Sequence, residues 1–113
     1  MNTRTSANEN VVGQMIAVFP NPPSIDLART LDLAGYRWKA VSSADDAAKS
    51  EPVEGWAGAV VMCDEDPEGG WALCRSLRKN DNPVGHVLVL VNGSQLADLE
   101  MRDDFYDDFC LSP

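Results

Sequence analysis

The chain has 113 residues and a mass of 12.3 kDa, which is the size of a single domain. Its composition, 44% hydrophobic and 24% charged, is that of a globular protein, and no apolar run approaches the roughly 20 residues that a membrane span needs. The formal charge of −9 argues against direct nucleic-acid binding, which rests on a basic surface. The polar N-terminus lacks a signal-peptide core, and three cysteines in unrelated contexts argue against a disulfide framework. A cytoplasmic protein is expected.

Short apolar runs along the chain predict five β-strands. The runs over residues 14–19, 57–63 and 86–91 are continuous, rich in β-branched side chains and bounded by turn residues. Such runs are typical of parallel strands that are buried on both faces. The run over 36–41 alternates more and fits a strand nearer an edge, and the last candidate covers 107–112.

The first two predicted helices begin at serine caps. Ser24 precedes a segment with helical apolar spacing that ends near Gly35. Ser43 with Asp46 three residues later approximates a capping box, in which aspartate replaces the usual glutamate or glutamine. It opens a short alanine-rich helix that reaches about Lys49.

Two more helices are predicted in the second half of the chain. Trp71 begins an apolar helix face that ends at the basic pair Arg78 and Lys79, which suits a helix C-terminus. Leu96 and Leu99 mark a weaker fourth helix with both leucines facing the core. Because a helix joins each strand to the next, the sheet should be parallel with right-handed crossovers.

Three stretches of the sequence resemble response-regulator receiver domains. Residues 34–50 are similar to the second strand and helix of that family, 69–93 to the third helix through the fourth strand, and 105–113 to the fifth strand with its closing Lys-Pro. The resemblance covers about 14–113. It implies an α/β, doubly wound (βα)5 sandwich with a parallel sheet in the order 2-1-3-4-5, from which this chain lacks the final helix.

The resemblance also implies the domain organisation. Residues 1–10 are expected to form a flexible tail, and residues 11–113 a receiver-like domain. The stretch VNGSQLADLE followed by FYDDFCLSP further resembles the atypical orphan regulators of the actinobacterial nitrogen-response type. The receiver would then regulate a transcription factor whose DNA-binding output domain lies outside this chain.

Receiver chemistry needs four kinds of residue at the carboxyl ends of the strands. These are an acidic pair that holds Mg²⁺, a phosphoacceptor aspartate, a hydroxyl residue and a lysine. The corresponding positions here hold Phe19 and Pro20, then Met62, Asn92 and Ser112. None of these side chains is a carboxylate or a lysine. The expected module is therefore phosphorylation-independent, is not an enzyme, and has no catalytic residue, metal ligand or cofactor.

Two alternatives remain open. A two-residue gap in the alignment would make Asp64 the phosphoacceptor, although the other acids and the lysine would still be missing. The neutralised positions Phe19, Met62 and Asn92 could instead form a small-ligand sensing pocket. The sequence alone distinguishes poorly between a ligand-sensing domain and a domain that only binds other proteins.

The resemblance to orphan regulators implies a homodimer through the fourth-helix and fifth-strand face. DNA would be contacted through the output domain, and no membrane partner is expected. Acidic residues crowd this segment, in which Arg102 is the one basic residue, so two such faces should repel unless Arg102 pairs across the dimer. The candidate residues of the dimer face are Ala97, Met101, Arg102, Phe105 and Tyr106.

The cysteines and the histidine do not predict a metal site. Cys63, Cys74, Cys110 and His86 lack the close paired spacing of zinc ligands, and each lies in an apolar strand or helix. Buried structural cysteines are the expectation. The sequence also contains no glycine-rich phosphate loop.

Overall fold

Five strands form one parallel sheet in the computed structural model, which describes residues 15–79 and 84–112. The strands are β1 Met15–Phe19, β2 Arg37–Ala40, β3 Gly58–Met62, β4 Val87–Val91 and β5 Asp108–Leu111. Their order across the sheet is β2-β1-β3-β4-β5, and every neighbouring pair is parallel. The predicted α/β class and sheet order are confirmed, with β2 at an edge. The predicted tail, residues 1–10, lies outside the described residues.

Four helices connect the strands, as predicted. They are α1 Ile25–Leu33, α2 Ala44–Ser50, α3 Pro67–Lys79 and α4 Leu96–Met101, and short 3-10 turns over Gly93–Gln95 and Asp103–Phe105 flank α4. In the described ranges no helix is long and apolar enough to span a bilayer. Leu96, which was predicted to face the core, is 41% exposed, because Leu99 occupies the buried side of this short helix.

The serine caps of α1 and α2 are confirmed. The Ser24 hydroxyl accepts a hydrogen bond from the Leu27 N–H at 3.2 Å, and the Ser43 hydroxyl accepts one from the Asp46 N–H at 3.0 Å. The second hydrogen bond of the predicted capping box would run from the Ser43 N–H to the Asp46 carboxylate. Instead, that carboxylate accepts a hydrogen bond from the Ser42 N–H at 2.8 Å. This backbone hydrogen bond lowers the pKa of Asp46.

The main core lies on one face of the sheet. Side chains alternate along a strand, and Phe19, Val61, Val89 and Val91 all point into the buried cluster that α2, α3 and α4 cover. Within the described ranges, α1 is the helix that covers the opposite face. A groove of about 430 Å³ is open on that face, and its lining includes Ile16, Leu31, Val60 and Leu88.

Candidate functional site

The end of β1 carries a buried aromatic ring. Phe19 is 1% exposed and lies in register with Val61, so its side chain points into the core on the α3 face. A methyl group at Gly69 would lie 2.9 Å from the Phe19 Cζ atom, which shows that the ring packs against the first turn of α3. Pro20 follows and is half-buried. β1 thus ends in an apolar side chain at the position that the sequence resemblance predicts for the receiver acids.

The end of β3 separates two residues onto opposite faces of the sheet. Met62 is the last residue of the strand and is 5% exposed, but alternation directs it away from the face that holds Phe19. The next residue, Cys63, returns to that face and belongs to the core cluster. The structure therefore does not bring Phe19 and Met62 into one pocket. The strand pleat thus separates the two apolar members of the predicted ligand pocket, and the pocket itself stays a prediction.

Cys63 is a packing residue beside α3. It is fully buried, as is Cys74, and a methyl group at Gly70 would lie 2.8 Å from the Cys63 sulfur. The pKa of the Cys63 thiol is raised well above its usual range. The main cause is a hydrogen bond with Cys74, and burial of the thiol is the second. A protonated, inaccessible thiol does not act as a nucleophile. Cys110 differs from the predicted structural cysteines, since it is exposed on β5.

The loop after β4 is held by a side chain that the sequence analysis did not single out. Asn92 caps the turn by accepting from the Ser94 N–H at 3.0 Å and the Ser94 hydroxyl at 2.6 Å. Gln95 is buried; its Oε1 atom accepts from the Asn92 N–H at 2.8 Å, and its Nε2 group donates to the Cys63 carbonyl at 3.0 Å. The Asn92 amide is thereby committed to local structure. The Asn-x-x-Gln spacing of a capping box was the available signal.

Ser112 follows β5, at the position that the sequence resemblance predicts for the receiver lysine. It is half-buried, and its N–H donates to the Val91 carbonyl at 2.8 Å, with its hydroxyl 3.4 Å from the same oxygen. Both groups extend the β4–β5 ladder by one step. The side chain supplies no positive charge to this end of the sheet.

The acidic residues in the loop between β3 and α3 have different environments. Asp66 accepts a hydrogen bond from the Gly69 N–H at 3.1 Å at the start of α3, and Glu65 is exposed. The Asp64 N–H donates to the Leu90 carbonyl at 3.0 Å, while its Oδ1 atom is buried without a hydrogen-bond partner among the described residues. Across residues 15–79 and 84–112, no group of three or more His, Cys, Asp or Glu side chains is placed to hold a metal. The strand ends do not fit Mg²⁺, which prefers several oxygen ligands.

Three of the predicted dimer-face residues turn toward α3. The Arg102 guanidinium lies 5.2 Å from the centre of the Trp71 ring, and the Tyr106 ring lies 6.1 Å from that same ring. Phe105 lies beneath the guanidinium of Arg75 at 5.9 Å. These contacts bury the two aromatic residues partly against the core. Tyr106 also contacts the two elements of the predicted face, because its hydroxyl donates to the Leu99 carbonyl at 3.3 Å and its ring lies 6.4 Å from that of Phe109.

The outward side of α4 retains the other two predicted residues. Ala97 is exposed and Met101 is 85% exposed, and they lie one helical turn apart. We define the α4–β5 face as the exposed surface of α4 and β5, where Phe109 and Leu111 are also accessible. Five carboxylates on or between these elements form no ion pair within residues 15–79 and 84–112: Asp98, Glu100, Asp103, Asp104 and Asp108.

The sixth acid of this segment is paired. Asp107 forms an ion pair with Arg78 at 2.8 Å and accepts a hydrogen bond from the Val87 N–H at 2.7 Å. Desolvation opposes ionisation of Asp107, but the Arg78 and Val87 hydrogen bonds prevail and lower its pKa. Burial, with a contribution from nearby Asp103, raises the pKa of Tyr106.

No protein-family profile and no curated protein matches the chain. Solved structures do match it. The N-terminal domain of a response regulator receiver protein from Methanoculleus marisnigri is 16% identical over 88% of this chain and 84% of its own, with a TM-score of 0.67. The receiver domain of the sensor histidine kinase PA1611 from Pseudomonas aeruginosa is 17% identical over 88% and 85%, with a TM-score of 0.69. The chain has the receiver fold.

A longer protein contains the same fold as one part. NtrX from Brucella abortus is 16% identical, and the match covers 88% of this chain but 23% of that protein, with a TM-score of 0.68. At these identities the likeness extends to the receiver fold and not to individual residues. The chemistry of the receiver fold in this chain must therefore be derived from its own strand ends.

Proposed function

We propose that this chain is a pseudo-receiver, a regulatory interaction module that works without phosphorylation. The observation that carries the proposal is the buried ring of Phe19 at the end of β1. A receiver needs carboxylates there, because a metal ion offsets the charge of the incoming phosphoryl group. An aromatic side chain packed against Gly69 supplies neither charge nor oxygen ligands.

The other strand ends support the same proposal. The PA1611 receiver domain has a magnesium ion coordinated in its active-site cleft. Here Cys63 is a buried thiol, Asn92 is committed to a turn, and Ser112 extends the sheet ladder. Each side chain serves packing or backbone hydrogen bonding. The module has no catalytic role and requires no cofactor.

We further propose that the module belongs to a cytoplasmic transcription regulator and contributes to homodimerisation through the α4–β5 face. Ala97 and Met101 are the outward residues of that face. The carboxylates around this face repel those of the second copy, so the association is weak. Added salt strengthens it, because salt screens exposed like charges over about 8–10 Å. DNA is contacted through an output domain outside this chain.

The decisive experiment is incubation with acetyl phosphate and Mg²⁺, followed by intact-mass spectrometry. The proposal predicts no phosphoryl adduct under conditions that label an active receiver domain. A stoichiometric adduct would overturn it.

A second candidate function is supported by one observation, the buried Oδ1 atom of Asp64, which has no hydrogen-bond partner in the part of the chain that the structure describes. If Asp64 were a working phosphoacceptor, an adduct would form on the native chain and disappear in Asp64→Asn. If the adduct persisted in Asp64→Asn, another residue would be the phosphoacceptor. That result would exclude both the phosphorylation-independent module and phosphorylation on Asp64.

A further inference from the structure

The outward side of α1 presents an apolar stripe. Ile25, Ala28 and Leu33 recur at helical spacing, and they line a groove of about 460 Å³ together with Trp38 on β2. Ile25 is 76% exposed and Leu33 is 82% exposed. Large aliphatic side chains at such exposure on a helix form an unpartnered face. This groove lies apart from the strand ends and from the α4–β5 face.

The middle of the stripe carries one charge of each sign. Arg29 and Asp32 are neighbours at i and i+3 and both line the groove. Within the ranges that the structure describes, neither forms an ion pair. The Asp32 Oδ1 atom accepts a hydrogen bond from the Trp38 indole N–H at 2.8 Å, which fixes the carboxylate beside the groove and leaves its second oxygen available.

We propose that the α1 groove binds a second copy of this chain, with the two α1 helices antiparallel about a two-fold axis. A two-fold axis that crosses the groove midway between Arg29 and Asp32 places Arg29 of each copy beside Asp32 of the other, so that two equivalent ion pairs form. Ile25 and Leu33 lie toward the two ends of the helix, where they flank these pairs with apolar contacts. This surface goes beyond the proposed function and is separate from the α4–β5 face.

Charge complementarity favours a second copy as the occupant. The chain carries a formal charge of −9, so most pairings of its surface with itself oppose like charges. The groove is different because its lining includes one cation and one anion, in an order that an antiparallel copy complements. In a two-fold contact, Arg29 of each copy pairs with Asp32 of the other, so all four charged side chains have a partner.

A charge-swap experiment tests the proposal. Arg29→Asp places two acids together in each contact, and Asp32→Arg places two bases together. Because the proposed α4–β5 contact would still join the swapped chains, the groove is tested with Met101→Asp present in every chain. Sedimentation at high micromolar concentration should then show dimers for the chain with the native groove and at least about tenfold weaker dimerisation for each swap. An equimolar mixture of the two variants should recover dimers, because every contact in the mixed dimer again joins an acid to a base. Asp32→Asn, which retains the Oδ1 acceptor for Trp38, should fall between the native chain and the swaps.

The outcomes separate this surface from the α4–β5 face. A monomeric native chain, unchanged dimerisation in both swaps, or failure of the mixture to recover dimers would each overturn the α1 contact. Met101→Asp serves as the reference for the other face. Loss of dimers in Met101→Asp alone, with no loss when each α1 swap is made without Met101→Asp, would retain the proposed α4–β5 dimer and reject the α1 contact. Recovery of dimers in the mixture of Arg29→Asp and Asp32→Arg chains supports the α1 contact, whether or not Met101→Asp weakens dimerisation.

Discussion

The Gln95 amide joins two strand ends of the receiver fold by donating a hydrogen bond to the Cys63 carbonyl at 3.0 Å. Its other end accepts from the Asn92 N–H, so one buried side chain satisfies backbone groups after both β3 and β4. In this chain an amide bridge and packed side chains connect the loops where a receiver uses charged groups. The bridge is neutral and requires no ligand.

Removal of the bridge should destabilise the fold. Gln95→Met retains similar volume but leaves the Cys63 carbonyl and the Asn92 N–H without partners in a buried location. We expect a loss of about 2 kcal/mol in the free energy of unfolding, measured by urea denaturation. The matched control is Ser94→Ala in the same turn, which is exposed and should change stability by about 0.5 kcal/mol or less. Equal effects of the two variants would show that the bridge contributes nothing.

Two glycines offer a test of the close contact between α3 and β3. A methyl group at Gly70 would lie 2.8 Å from the Cys63 sulfur and 3.3 Å from its Cα atom, whereas one at Gly93 meets nothing within 4 Å. Gly70→Ala should therefore lose about 1–3 kcal/mol of stability by overpacking. Gly93→Ala should be nearly neutral. Thermal unfolding of both variants measures the difference, and a stable Gly70→Ala would mean that α3 moves away at no cost.

The Asp107–Arg78 pair predicts a specific dependence on pH. Because the pKa of folded Asp107 is lowered from its ordinary value of 3.8, its stabilising contribution is present above that value and is lost as the pH falls below it. Asp107→Asn should be about 1 kcal/mol less stable near neutral pH, and the difference should close in acid. Asp104→Asn, at an exposed site, should show no such convergence. Urea titrations across this pH range would contradict the account if the two variants behaved alike.

Replacing a single strand-end residue should not create a receiver. Met62→Asp places a carboxylate on the face opposite Phe19, in a site that is 5% exposed. We expect no phosphoryl adduct by mass spectrometry and a loss of about 3 kcal/mol in stability from the unpaired buried acid. Met62→Leu conserves the apolar character and should cost less than about 1.5 kcal/mol. Efficient phosphorylation of Met62→Asp would mean that other residues supply the metal site.

The sequence was sufficient for the fold because its signals were local. Continuous apolar runs marked the strands, serine caps marked the starts of α1 and α2, and the resemblance ordered the sheet. The side on which each residue lies was harder to predict. A shift of one residue along a strand reverses its face, and strand register alone decides that Cys63 rather than Met62 shares a face with Phe19.

Long-range contacts account for the remaining differences. Tyr106 and Phe105 turn toward α3 because Trp71 and Arg75, about 30 positions earlier in the chain, provide surfaces on which their rings pack. No periodicity within the segment indicates that direction. Gln95 was missed for a different reason. Its Asn-x-x-Gln pattern was visible, but its second partner, the Cys63 carbonyl, lies just after β3 and is distant in the sequence.

We propose that the strand ends of this receiver fold hold no phosphorylation site, and a nuclear magnetic resonance titration with beryllofluoride and Mg²⁺ tests this. An active receiver domain in the same buffer serves as the positive control. We expect the amide signals of Phe19, Cys63 and Asn92 to remain unchanged at saturating additions. Saturable shifts centred on Asp64 and the neighbouring strand ends, present with both reagents and absent with either one, would contradict it.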